Sequence, residues 1–94
     1  PARRAASEAV EDATARLEDL AGQLAAKGIP AETVVRQGAA VDEILAVEEE
    51  VDPTTVLLGA RGRSRLRRLL LGSTSEAVTA RADSNVLLVP PRGR

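Results

Sequence analysis

Two short apolar runs, TTVLLG over residues 54–59 and NVLLVP over residues 85–90, restrict the fold of this chain more than anything else in it. Each is too short for a buried helix and is bounded by turn residues, Asp52-Pro53 before the first and Pro90-Pro91 after the second, so both are predicted as strands. The first has the unbroken apolar character of a strand covered on both faces of a parallel sheet, and the second reads as a buried or edge strand.

Helical spacing fills most of the remaining chain. From Ala5 to Lys27, Val10, Ala13, Leu17, Leu20, Ala21 and Leu24 recur on one face, and Gly28 and Pro30 end the helix. The segment at residues 32–36, with β-branched Thr33, Val34 and Val35 between Pro30 and Gly38, predicts a further strand. A second helix follows from about Ala39 to Glu50 with Val41, Ile44 and Leu45 inward and Val47 a further candidate for that face, and its Glu48-Glu49-Glu50 run is expected to be a solvated, frayed end, because the helix dipole disfavours negative charge there. Ser73 and Glu76 fit a capping box opening a third helix to about Ala82. Helices alternating with short strands argue for an α/β fold, with a parallel sheet flanked by helices. About three strands and three helices make an incomplete, doubly wound sheet, expected as one partial domain over residues 1–94.

The side-chain inventory removes whole classes of chemistry. With no Cys and no His among the 94 residues, there is no thiol nucleophile, no disulfide, no imidazole base and no thiolate or imidazole metal site. With no aromatic residue, the stacking platforms of single-strand nucleic-acid binders are missing. No apolar run reaches the length of a membrane span, so a cytoplasmic location is expected. The chain also lacks an initiator Met and begins in polar helical sequence, as expected for a piece of a longer product. The net charge of −1 conceals an asymmetry: residues 1–58 carry five basic and twelve acidic side chains, residues 59–94 eight and two. A local positive field of this kind attracts anions without making the whole chain a polyanion binder.

That positive charge lies in LLGARGRSRLRRLLLGSTSEAV, residues 57–78. Gly59 and Gly62 can turn with positive φ and bring backbone N–H groups close to a ligand, and Gly72-Ser73-Thr74 stands at a helix start, where free N–H groups suit a phosphate. Strand-end glycines and a capping serine also serve purely structural ends, and neither a Walker A pattern nor a G-x-G-x-x-G fingerprint is present. Arg61 and Arg63 could screen phosphates or simply keep the loop solvated, and solvation is the better account of Arg65, Arg67 and Arg68.

The spacing Gly59-x2-Gly62-x9-Gly72-Ser73 resembles the nucleotide-binding signature of the universal stress protein family, G-x2-G-x9-G-[S/T], with every position filled. The surrounding VDPTTVLLGARGRSRLRRLLLGSTSEAVTARADSNVLLVPP is similar to the family's last strand-loop-helix-strand segment, and the likeness extends more weakly over the rest of the chain. The resemblance implies a flavodoxin-like or Rossmann-like parallel sheet of five strands, usually in a dimer. It also implies ATP, with Mg2+ as an optional companion. On the matching positions, Gly59 and Gly62 would meet ribose and phosphates through backbone, and Gly72, Ser73 and Thr74 would hold phosphates. Val86, Leu87, Leu88 and Val89, in the family's final strand, would meet a second copy across the dimer axis. The family's first strand, ending in an Asp that engages the nucleotide, its first helix and its second strand have no counterpart in this chain. In the family's order the first two strands stand between the third and the fourth, so residues 32–36 and 54–59 would not be neighbours. ATP affinity of this chain alone is therefore expected to be weak.

The expected role is that of a nucleotide-binding, regulatory stress-response module rather than an enzyme. Weak ATP hydrolysis or autophosphorylation stays open, although no general base and no metal carboxylates are evident. The alternative is an interaction module that has lost its ligand and dimerises through the last strand. Nucleic-acid binding through the arginines ranks well behind both.

Overall fold

The structure, a computed structural model, describes residues 2–59 and 72–89. They form two compact units, Pro1–Arg36 and Gln37–Arg94.

The first unit is helix α1, Ala2–Ala26, and the extended segment after it. Five members of the predicted apolar stripe, Val10, Ala13, Leu17, Ala21 and Leu24, are half-buried, while Leu20 is exposed. The helix ends as its sequence requires. Gly28 takes a left-handed φ of 83°, its N–H donates to the Ala25 carbonyl at 2.9 Å, and the Ile29 N–H donates to the Leu24 carbonyl at 2.9 Å. These two bonds satisfy carbonyls that the last turn would otherwise leave open, and a Cβ at residue 28 would make this backbone costly.

The strand predicted at residues 32–36 does not form: residues 29–37 carry no strand or helix, and Val34 is exposed. β-branched residues favour extended backbone, but a strand exists only when a neighbour takes up its N–H and C=O groups. Among the described residues no strand pairs with this segment.

The second unit contains α2 (Ala40–Val51), β1 (Thr55–Gly59), α3 (Ser73–Arg81) and β2 (Asn85–Val89). Strand β1 pairs with β2 in parallel, Thr55 opposite Asn85 through Gly59 opposite Val89. Helix α2 packs on α3, and α3 on β2. Val78, at the centre of α3, is the one fully buried hydrophobic residue among those described, with Ser75 beside it at 7% exposure. Both strands alternate between half-buried and exposed positions, which corrects the expectation of a strand covered on both faces. Val56, Leu58, Val86 and Leu88 lie on the half-buried face, whereas Leu57 and Leu87 are 61% and 54% exposed. A parallel sheet becomes apolar throughout when helices cover both sides, and among the described residues of this unit Leu57 and Leu87 stay exposed on the second face.

Candidate functional site

Parallel pairing obliges the chain to return from the carboxyl end of β1 to the amino end of β2, and α3 makes that return. The amino end of α3 is thereby directed toward the pole where β1 finishes at Gly59. This is the pole at which open α/β sheets hold ligands. Gly59, Gly72, Ser73 and Thr74 are thus referred to one end of the unit by the connectivity. Arg61, Gly62 and Arg63 lie outside the described residues.

The helix start differs from its predicted form. Ser73 is the first residue of α3, not its cap: the cap position belongs to Gly72, at φ −73° and ψ 161°, and no side chain caps the helix. The capping box fails because the helix begins one residue too early for the Ser73 hydroxyl to reach back over the first turn. The Gly72 carbonyl accepts the Glu76 N–H at 3.0 Å, closing the first turn. The first-turn N–H groups, at Ser73, Thr74 and Ser75, precede any intrahelical acceptor, and the positive end of the helix dipole lies there.

Neither site glycine adopts left-handed backbone, which among the described glycines is confined to Gly28 and Gly38. A Cβ built at Gly59 or Gly72 meets nothing within 4 Å. Neither backbone conformation nor packing among the described residues demands glycine at these positions.

A second polar constellation, missed by the sequence reading, occupies the opposite pole. Glu48 is not a frayed, solvated terminus: it is 9% exposed, and its Oε2 accepts the N–H of Asp83 at 2.9 Å and that of Ser84 at 2.7 Å. Its backbone carbonyl accepts the Asp52 N–H at 2.8 Å, and Asp52, at φ 53°, closes α2 in the left-handed region that Asp tolerates. The Ser84 hydroxyl donates to the Pro53 carbonyl at 3.0 Å, and both the backbone N–H and Nδ2 of Asn85 donate to the Thr54 carbonyl at 3.2 Å. Two adjacent amides on one carboxylate oxygen outweigh the unfavourable dipole end of α2, because hydrogen bonds to a charged acceptor are stronger than neutral ones.

The Ser84 hydroxyl, whose single hydrogen can turn to Glu48 or to Pro53, holds the Glu48 carboxyl below the ordinary glutamate range; the Ser84 and Asp83 amides act in the same direction, against partial desolvation. A depressed native pKa contributes stability that is complete above the unfolded value of about 4.3 and is lost as pH falls through the lowered native value. Thermal unfolding followed by circular dichroism should show Tm falling below about pH 4.3 more steeply in the wild type than in Glu48→Gln, whose side chain does not titrate. Equal slopes would contradict this. The comparison is needed because Glu49, Asp52, Asp83 and Arg81 line the same groove, of about 340 Å3, beside Glu48.

Among the described residues no cluster of three or more acidic side chains is arranged to hold a metal ion, and no helix is long and apolar enough to cross a membrane.

Residues 1–90 match the universal stress protein family. The chain belongs to that family. It is similar to the universal stress protein YxiE of Bacillus subtilis, at 36% identity over 73 residues, which cover 78% of this chain and 49% of the relative. It is 27% identical over 79 residues to universal stress protein MJ0577 of Methanocaldococcus jannaschii, covering 84% of this chain and 49% of that one. A universal stress protein of Mycolicibacterium smegmatis is 34% identical over 95 residues, 98% of this chain and 66% of that protein. The chain thus spans about half the length of the first two relatives. No solved structure matches it. Membership agrees with the α/β architecture found, a parallel pair of strands with flanking helices, and places the chain among stress-response proteins.

Proposed function

We propose that this universal stress protein binds ATP as a regulatory module and holds its phosphates between the carboxyl end of β1 and the amino end of α3. One observation carries the reading: the signature glycines Gly59 and Gly72 fall at a strand end and at an uncapped helix start. There the chain offers backbone donors and open space where a side chain would stand, and among the described residues no packing contact asks for glycine. An anion is the ligand such a start favours, because the first-turn amides and the helix dipole act together on it. Ser73 and Thr74 supply hydroxyl donors, and Gly59 lets the backbone approach. Gly62 completes the signature in sequence, with Arg61 and Arg63 on either side of it. Nothing in this set extracts a proton or orients an attacking water, so the role is binding rather than turnover.

Isothermal titration with ATP tests the reading. A saturable, single-site isotherm weaker than micromolar is expected, and no heat beyond dilution at millimolar ATP would refute it.

A second reading, in which the last strand joins two copies, draws on the exposure of Leu87 and Val89 in β2. Val86 and Leu88 face the other way, toward the half-buried side, so only half of the predicted contact set lies on the open face. Light scattering separates the two readings, since an ATP-independent dimer without nucleotide binding favours the second.

A further inference from the structure

We infer that Glu48 is a positioning residue for α3, fixing from the opposite pole where the helix presents its Ser73–Thr74 end. Helix α3 has only nine residues, and its only buried members are Ser75 and Val78. Val78 is its one fully buried hydrophobic side chain among the described residues, and non-directional apolar packing resists sliding along the helix axis or pivoting about Val78 less than directional bonds do. Such bonds hold this helix. Its trailing turn is held by the Glu48 carboxylate on the amides of Asp83 and Ser84, just beyond the C-cap Ala82, whose own N–H donates to the Val78 carbonyl at 2.8 Å. Glu48 in turn is fixed by its place in α2, where its carbonyl accepts the Asp52 N–H. Ser84 carries the tie onward to Pro53 and so to the start of β1.

One carboxylate therefore connects α2, the α3–β2 turn and the beginning of the sheet. A nine-residue helix is about 13 Å long, so a tilt at its trailing end is delivered almost whole to its leading end. A displacement of an ångström there is enough to misplace amide donors that must lie about 3 Å from a phosphate oxygen. The ligand half of this inference rests on the nucleotide reading above. The half that concerns α3 stands on the hydrogen bonds alone.

The test uses Glu48→Ala, Glu48→Gln and Ile44→Ala in the intact protein, with two readouts at pH 7: ATP affinity by titration and hydrogen exchange of the α3 amides from Glu76 to Ala82. Glu48→Ala leaves two amides without their charged acceptor, so ATP affinity should fall about tenfold and α3 exchange should quicken by a similar factor. Glu48→Gln keeps an oxygen that can accept both bonds and should restore both readouts to within about threefold of the wild type. Ile44→Ala thins the half-buried stripe of α2 without touching the turn. It should lower Tm while leaving affinity within about twofold. If Ile44→Ala lowers affinity as much as Glu48→Ala at equal loss of Tm, Glu48 contributes stability only and the inference falls. If the wild type binds no ATP, the proposed function fails separately, and exchange decides the inference. Unchanged α3 protection in Glu48→Ala then overturns it, whereas faster exchange rescued by Gln upholds it.

Discussion

Val78→Asp is expected to abolish the folded state of residues 37–94, seen as loss of cooperative thermal unfolding and of most helical circular dichroism from α2 and α3. Val78 is fully buried, and among the described residues no other hydrophobic side chain is. A carboxylate there would have to find a partner or water in a space that offers neither, which is a cost of several kcal/mol. Domains of this size are stable by only about 5–15 kcal/mol, and the described residues of this unit hold no other fully buried hydrophobic side chain to offset such a loss. Val78→Ala removes two methyl groups and should cost about 1.5–2.5 kcal/mol, counting both transfer and the cavity left behind. A Val78→Asp protein that unfolds cooperatively at the wild-type Tm would show that the centre of α3 is not where this unit is held together.

The second large effect concerns ligand rather than fold. Gly59→Ala combined with Gly72→Val should remove the protection that ATP gives against thermal unfolding, with Tm in the absence of nucleotide lowered only slightly. Neither new Cβ has a neighbour within 4 Å among the described residues, so the fold can admit both. The φ of −73° at Gly72 is open to valine, and the loss there is that of a poor helix cap, about 1 kcal/mol. The ligand is affected differently, because the new side chains stand where backbone donors must approach a phosphate. Protection by a ligand scales as RT ln(1 + [L]/Kd), so even a weak site gives a readable shift at millimolar ATP. Undiminished protection in the double variant would place the nucleotide elsewhere.

How far the sequence foretold these features depends on whether local chemistry or distant partners decide them. The end of α1 was legible because Gly28 is needed at one backbone position and Pro30 forbids continuation. Strands β1 and β2 were legible from composition and punctuation. The segment at 32–36 has the same β-branched character, but strand formation is a property of pairs, and its propensity says nothing about whether a neighbour is present. The capping box failed by one residue, the ordinary uncertainty of a helix start. Glu48 was the costlier miss, and a signal existed. Val41, Ile44, Leu45 and Glu48 continue a single i, i+3, i+4, i+7 stripe, so the period that assigned the three apolar residues inward assigned the glutamate inward with them. Charge alone points such a residue toward solvent, whereas a carboxylate on a buried stripe points to N–H groups awaiting an acceptor.

The bonds gathered at the start of the ladder also settle a question of phase. Parallel strands joined by a long crossover have no tight turn to count residues between them, and every pair in this ladder spans 30 positions of sequence, as from Thr55 to Asn85. A slip by one residue would turn Leu87 and Val89 toward the helices and Val86 and Leu88 away, and the exchanged side chains are alike enough that apolar burial alone discriminates poorly. Bonds from Asn85 to Thr54, from Ser84 to Pro53, and from Ser84 and Asp83 to Glu48 can all be made in only one alignment. The polar pole thus acts as the index mark of the sheet, so that Val89 ends opposite Gly59 rather than one place short of it.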